Sequence, residues 1–511
     1  MKNMKNGISK DKNGKKEATP DLLRTLLIVV MSLIVSISLM SNLSAERFMG
    51  GGLIAFVLLF ILYKDIMRYK PSYTGNYAML FLLGLLILST LVISRFFEYL
   101  LANLSIGFLA AGTAKFGIPV AAGAMFVTLL FDFHTAIIFS FTISLLTGYW
   151  LQDAYYPIYA FVGSLTAAFS VIRCRKRSAL LRAGMYVALA NILIVITLLL
   201  SRHELFTDKV FSALIFAIFS GFTVSSIVSV FLPLLEYTFK ITTDISLLEL
   251  LDLNQPLMKN LMITAPGTYH HSVIVGNLVE AAAETAGVNP LLARVSSYYH
   301  DIGKLKMPDY FIENQSGSPS KHEKLTPHMS SMIIISHVKE GVELARQYKL
   351  PLAVIDIIKQ HHGTSLITYF YQKAKEQEEE SNPREDDYKY PGPKPQTRVA
   401  ALVMMADAVE AASKVLTDPT PARISALVDK IINHIFLEGQ LDECELTLKD
   451  ISQIKQKFTY ILTGIFHRRI DYPGFDFGNE HISKEQTKNG KPKPVEDKKG
   501  AKQGTSPARV P

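Results

Sequence analysis

Cysteine is almost absent from this chain. Cys174 and Cys444 are the only two in 511 residues, so neither a disulfide framework nor a thiolate zinc site is available. Long apolar runs are missing from everything after about residue 245, and beyond about Asn479 apolar residues nearly vanish. The surplus of one charge sign is also small: 53 Lys and Arg stand against 45 Asp and Glu, a net charge of +8. The basic residues collect in the two tails and beside apolar segments, a pattern that needs no nucleic acid polymer and that membrane topology explains.

The apolar content is concentrated in the first half. Hydrophobic residues make up 49% of the chain and mean hydropathy is +0.22, too apolar for an ordinary soluble protein. Candidate spans lie at Leu22–Met40, Gly51–Tyr63, Tyr77–Ser94, Ile118–Phe131, Thr135–Trp150, Tyr156–Ile172, Ala183–Ser201 and Ser212–Leu235. Several are shorter than the ~20 residues of a standard transmembrane helix. Phe96–Ala114 is apolar too, but it holds Glu98 and two glycines and reads as an interfacial or re-entrant piece.

Lys and Arg set the expected orientation. The start carries Lys2, Lys5, Lys10, Lys12, Lys15, Lys16 and Arg24. The connection after the second span holds Lys64, Arg68 and Lys70, and the one after the sixth holds Arg173, Arg175, Lys176, Arg177 and Arg182. With eight spans all three fall on one side, so both termini and the second half are expected in the cytoplasm, which places the protein as multi-pass in a bacterial inner membrane. The long polar leader favours an uncleaved first span over a signal peptide.

The second half reads as helical, with apolar residues at helical spacing in Tyr269–Ala286, Pro290–Ile302, Met329–Tyr348, Pro351–His361, Arg398–Leu416, Ala422–Leu437 and Leu448–Ile470. The fold class is therefore all-α, a polytopic transmembrane helical bundle followed by an all-helical soluble domain. The expected boundaries are a basic leader at 1–21, the bundle at 22–240, the soluble domain at 241–475 and a disordered basic tail at 476–511. A charged, then Pro/Gly-rich stretch, Lys373–Thr397, suits a loop beside the site rather than a core element.

Eight of the thirteen histidines lie between His270 and His362, which compositional drift does not explain. His271, the doublet His300-Asp301, His337, the doublet His361-His362, and Asp407 supply five imidazoles and two carboxylates. Such a set can hold two divalent ions while leaving positions open for water and substrate, and nitrogen and oxygen ligands without thiolate suit manganese, iron or catalytic zinc. Asp301, with two oxygens, can bridge them. Two ions about 3.5–4 Å apart activate a bridging water and clamp a phosphodiester, so P–O hydrolysis is the expected reaction. Lys304, three residues past Asp301, either neutralises a phosphate oxygen or is a solvated helix-end charge. His270 is expected behind the ligands or in packing, and His322 and His328 in loops.

These residues and their surroundings resemble the seven-transmembrane HD-domain proteins of the PgpH type, which are cyclic di-AMP phosphodiesterases. The likeness is carried by ITTDISLLELLDLNQPLMKNLMITAPGTYHHS, LLARVSSYYHDIGK, FIENQ, KQHHGTSL, YPGPKPQT and ADAVEAA, with RCRKRSALLRAG upstream, and spans about residues 50–475. The resemblance implies a cytoplasmic HD domain that hydrolyses cyclic di-AMP to pApA with two divalent ions, manganese or iron. His271, His300, Asp301 and Asp407 would hold one ion, and Asp301, His337, His361 and His362 the other. The implied partners are cyclic di-AMP and the lipid bilayer, and the sequence permits a homo-oligomer. One departure stands out: where the family carries a large extracytoplasmic sensor domain after the first span, only Ser41–Gly50 lie here. Two other readings remain: a cyclic di-GMP phosphodiesterase, although GKLKMPDYF rather than a GYP sequence follows the His-Asp doublet, and a membrane-bound nucleotide sensor without turnover.

Overall fold

The computed structural model describes residues 20–40, 44–70, 77–103, 111–315, 320–377 and 383–466. The leader before residue 20 and the tail at 476–511 lie outside them. The described residues up to Ile465 form one compact unit.

Among the described residues eight helices come first, one for each apolar stretch: α1 (Pro20–Leu39), α2 (Ala45–Tyr69), α3 (Tyr77–Ala102), α4 (Ala121–Leu130), α5 (Phe133–Leu151), α6 (Tyr156–Ser170), α7 (Ser178–Ser201) and α8 (Lys209–Phe239). Among the described residues six segments are long and apolar enough to cross a membrane, including Gly112–Leu130, where the 3₁₀ turn Ala111–Gly117 leads into α4. Within the stretch Phe96–Ala114, residues 104–110 lie outside the described residues. Phe96–Ala102 continues α3, because no helix breaker interrupts it, and the 3₁₀ turn belongs to the next span. Lys115 there pairs with Asp153 at 2.6 Å, and Arg202 pairs with the same carboxylate, so these charges near the span ends neutralise one another.

Small residues set a close contact between α7 and α8. A Cβ at Gly184 on α7 would lie 2.7 Å from the Gly221 carbonyl, and one at Gly221 on α8 would lie 2.6 Å from both the Ala188 nitrogen and the Gly184 carbonyl. Backbone meets backbone here, as small residues four apart allow in lipid. The longest helix, α8, contains Pro233 and ends at Lys240, whose left-handed backbone (φ 55°) returns its N–H to the Glu236 carbonyl.

Ten helices follow among the described residues: α9 (Asp244–Leu250), α10 (Pro256–Thr264), α11 (Pro266–Ala283), α12 (Pro290–Tyr299), α13 (Pro327–Gln347), α14 (Leu352–Gln360), α15 (Thr368–Glu376), α16 (Arg398–Ser413), α17 (Pro421–Leu437) and α18 (Leu448–Ile465). No strand occurs among the described residues, only an isolated bridge between Leu366 and Lys389. The sequence reading missed α9, α10 and α15, which are short, although Thr243 opens α9 with a capping box to Ser246. Of Lys373–Thr397, expected as a loop beside the site, Lys373–Glu376 end α15, residues 378–382 lie outside the described residues, and Tyr388 is fully buried against Phe370 and Ala374. The aromatic ring outweighs the polar composition around it. The central helix, α16, is buried along Val399–Asp407, which makes it the axis on which the other site-bearing helices pack.

Gly221→Ala is expected to destabilise the full-length protein by about 1–3 kcal/mol, since the intruding carbon meets backbone that cannot rotate away. Gly112→Ala, whose added carbon meets nothing within 4 Å, serves as the control. Equal unfolding midpoints for the two variants in detergent would show that the α7/α8 contact is looser than described.

Candidate metal centre

Five helices deliver the site. His271 lies in the second turn of α11. His300 and Asp301 end α12, His337 sits in the middle of α13, His361 and His362 follow α14, and Asp407 lies on α16. Side-chain oxygens fix three of the helix starts: Asn289 accepts from Leu291 and Leu292 N–H, Thr326 from Met329 N–H, and Thr397 from Ala400 N–H.

The imidazoles are turned by their own helices. His300 Nδ1 is 2.7 Å from the Ser297 carbonyl, His337 Nδ1 is 2.5 Å from that of Ile334, and His361 Nδ1 is 2.7 Å from that of Ile358. A carbonyl only accepts, so Nδ1 carries the proton and Nε2 faces inward. His271 achieves the same with a carboxylate, its Nδ1 lying 2.6 Å from Glu410 Oε2. A hydrogen-bonded Nδ1–H is what orients and strengthens a metal-ligating histidine.

All of the inward atoms converge on Asp301. Its Oδ2 is 3.2 Å from His300 Nε2 and 3.6 Å from His271 Nε2, while Oδ1 is 3.4 Å from His337 Nε2 and 3.7 Å from His361 Nε2. Each oxygen thus addresses a different pair. Asp407 Oδ1 lies 2.9 Å from His271 Nε2, and its Oδ2 lies 3.7 Å from His362 Nδ1. Two sets of four ligand atoms are each close enough to surround an ion, Asp301 with His337, His361 and His362, and Asp301 with His271, His300 and Asp407. All seven of the residues expected from the sequence come together.

The donor set suits divalent cations. Asp301 is 1% exposed and His300 and His361 are 0% exposed. Both Asp301 oxygens and the Nε2 atoms of His271 and His300 have no well-formed hydrogen bond within the protein, an arrangement that is costly unless a cation completes it. The opening is at His362, whose side chain is 23% exposed, and at Asp407, at 12%.

Electrostatics point the same way. Burial pushes the His300 imidazole down, but Asp301 and Asp407 overcome it and hold it up at about 10. Burial prevails at His337, pushed down to about 3 with a further push from His361, because Asp301 only partly offsets it. Burial disfavours the charged forms of Asp301 and Asp407, yet both lie well below the usual carboxylate range. His300 and Lys304 hold Asp301 there, and His271 and His300 hold Asp407.

Three residues near the ligands were not singled out in the sequence. Glu410 holds His271 and also pairs with Lys414 at 2.9 Å. Its signal was available, since it lies three residues after Asp407 in ADAVEAA and so on nearly the same face. Glu313, from FIENQ, holds Lys304 at 2.8 Å. Tyr390 stacks on His362 with ring centroids 4.3 Å apart and planes 25° apart. Lys304 itself is not a solvated helix-end charge. The 3₁₀ turn Ile302–Lys306 eclipses residues three apart, which sets its ammonium 2.7 Å from Asp301 Oδ2. His270 is exposed beside Tyr269 and does not stand behind the ligands. His322 lies in a short 3₁₀ turn and bonds the Tyr310 carbonyl, and His328 opens α13 against Tyr388.

A transmembrane bundle feeding an all-helical domain with a His-Asp centre defines a membrane-bound HD-domain protein. Residues 45–243, holding α2 to α8, match the family of 7TM receptors with an intracellular HD hydrolase, and residues 268–412 match the HD domain. The chain carries these two domains in series and is a homologue of the PgpH proteins. It is 40% identical to the cyclic-di-AMP phosphodiesterase PgpH of Bacillus subtilis over 364 residues, covering 70% of this chain and 51% of that protein. It is 42% identical to PgpH of Listeria monocytogenes, covering 70% of this chain and 50% of that one. The crystal structure of the L. monocytogenes PgpH HD domain in complex with cyclic-di-AMP is 48% identical, covering 43% of this chain and 100% of that chain with a TM-score of 0.40. The chain spans about half the length of the curated relatives it matches.

Glu410→Ala is expected to lower divalent-metal affinity by about 10–100-fold while helix content is kept, measured by equilibrium dialysis against Mn(II). Unchanged affinity would mean that the His271–Glu410 bond does not serve the centre.

Proposed function

We propose that this protein is a metal-dependent phosphodiesterase that hydrolyses cyclic di-AMP to pApA at a binuclear centre on the cytoplasmic side of a bacterial inner membrane. The observation that carries the reading is Asp301, buried with one oxygen toward each of two ligand sets. The substrate comes from the activity named for the two PgpH relatives, and the orientation from the basic connections on one side of the bundle.

His271, His300 and Asp407 would hold one ion, His337, His361 and His362 the other, with Asp301 shared; manganese and iron both fit these donors. Two such ions supply Lewis acidity toward a phosphodiester and make a water nucleophilic at neutral pH. The chain's own part is positioning. Three i−3 carbonyls and Glu410 fix the imidazole planes, and burial excludes bulk water. Lys304, held at 2.7 Å from Asp301 and 2.8 Å from Glu313, would present its ammonium to a non-bridging phosphate oxygen of the bound substrate. His362 and Asp407, on the open side, face the incoming nucleotide.

The full-length protein, metal-loaded in nanodiscs, is expected to convert cyclic di-AMP to pApA and to leave cyclic di-GMP largely intact, followed by chromatography. Folded, metal-replete protein that leaves cyclic di-AMP untouched would overturn the reading. Asp301→Ala is expected to lose both metal and turnover, whereas Lys304→Ala is expected to keep metal and lose about 10²–10³-fold in turnover. Near-normal activity in Asp301→Ala would remove the shared carboxylate from the mechanism.

A further inference from the structure

Far from the metal centre, α1, α2 and α3 line a half-open cavity of about 360 Å³ in the bundle. Its walls are almost wholly apolar, formed by residues such as Leu62, Leu80 and Leu83, but Arg24 and Tyr63 also line it. Tyr63 is buried, at 9% exposure, and its hydroxyl has no hydrogen-bond partner. A buried hydroxyl left unpaired is costly and calls for a ligand with a polar atom. A purely hydrocarbon filler would not meet that need.

The surroundings narrow the ligand. The outer face of α1 is exposed at Leu26, Val30 and Ile37, on a helix whose apolar surface makes lipid the solvent beside the cavity. The cavity holds Arg24 at the basic end of the bundle, and exposed Lys64 and Arg68 lie on the nearby last turns of α2. Cations at a membrane interface attract anionic headgroups, and a guanidinium pairs well with phosphate.

We propose that this cavity is a binding site for one anionic phospholipid. An acyl chain lies along Leu62, Leu80 and Leu83, the Tyr63 hydroxyl donates to an ester or phosphate oxygen, and Arg24 meets the phosphate. The lipid fills a gap between α1 and the seven-helix module that begins at Ala45. This site is independent of the metal centre and of the reaction proposed there.

Native mass spectrometry of the full-length protein, exchanged into micelles doped with equal phosphatidylglycerol and phosphatidylcholine, tests the site. The unaltered protein is expected to retain one phosphatidylglycerol in preference to phosphatidylcholine. Arg24→Gln and Tyr63→Phe are each expected to lower that retention by about fivefold or more, and Leu80→Trp, which fills the chamber, to abolish it. Arg68→Gln, on the same side but off the cavity lining, is expected to retain the lipid. Tyr63→Phe keeps the volume and apolar walls, so it reads the hydroxyl even if another variant fails to fold. No retained lipid, equal retention of the two headgroups, retention unchanged in Tyr63→Phe, or an equal loss in Arg68→Gln would each overturn the proposal.

Discussion

The structure depends on keeping one carboxylate charged where water cannot reach it. Asp301 is 1% exposed, and a buried anion is tolerated only when it is paired and otherwise satisfied. Its neighbours are the means: His300 and Lys304 counter the charge, and four Nε2 atoms face its two oxygens. Those imidazoles are not held by the carboxylate alone. Each takes its orientation from a carbonyl three residues earlier in its own helix or, for His271, from Glu410. Helix geometry therefore fixes the direction of each imidazole independently of the carboxylate that the rings face.

The membrane half meets this domain through a small set of polar contacts. Glu236, on the last turns of α8, bonds the Thr243 hydroxyl, and Thr243 caps α9. Arg177, from the connection between α6 and α7, contacts Glu236 at 4.0 Å and Glu249 on α9 at 2.6 Å. At the end of α9 the Leu250 carbonyl accepts the Tyr299 hydroxyl, one residue before His300. Bundle and metal centre are thus joined by a short run of hydrogen-bonded groups around a single seven-residue helix. The junction between α1 and α2 is equally brief, since residues 40–44 alone connect them, and no folded domain can occupy that position.

Apolar run length and the histidine series made most of this legible in the sequence. Each of the eight apolar stretches contains a helix, including the short α4 and α6. The seven ligand-type residues converge because side-chain chemistry at that density has few other uses. What the sequence left open concerned direction rather than identity. His270 and His271 are adjacent, and successive helix residues point about 100° apart, so only one can face the site; which one is set by α16 and Glu410 across the domain. Lys304 was ambiguous because its place depends on whether the turn after Asp301 stays helical. Tyr390 and Glu313 reach the centre from segments distant in the chain, and no local pattern encodes that reach.

Three motifs that stand apart in the sequence turn out to be one mechanical unit. A Cβ at Gly267, in APGTYHH, would lie 1.8 Å from the Glu313 carbonyl of FIENQ, and one at Gly303, in HDIGK, would lie 1.8 Å from the His337 carbonyl. Neither clash can be relieved by a side-chain rotation, because both partners are backbone. Around the first contact, Asn314 accepts from Thr268 N–H and donates to the Thr268 hydroxyl, while Glu313 bonds that hydroxyl and Lys304. The start of α11, the turn after Asp301 and the middle of α13 are thereby locked at van der Waals contact. His271, Asp301 and His337 ride on those three pieces of backbone, so the spacing between the two ligand sets follows from where glycine permits the chain to touch itself.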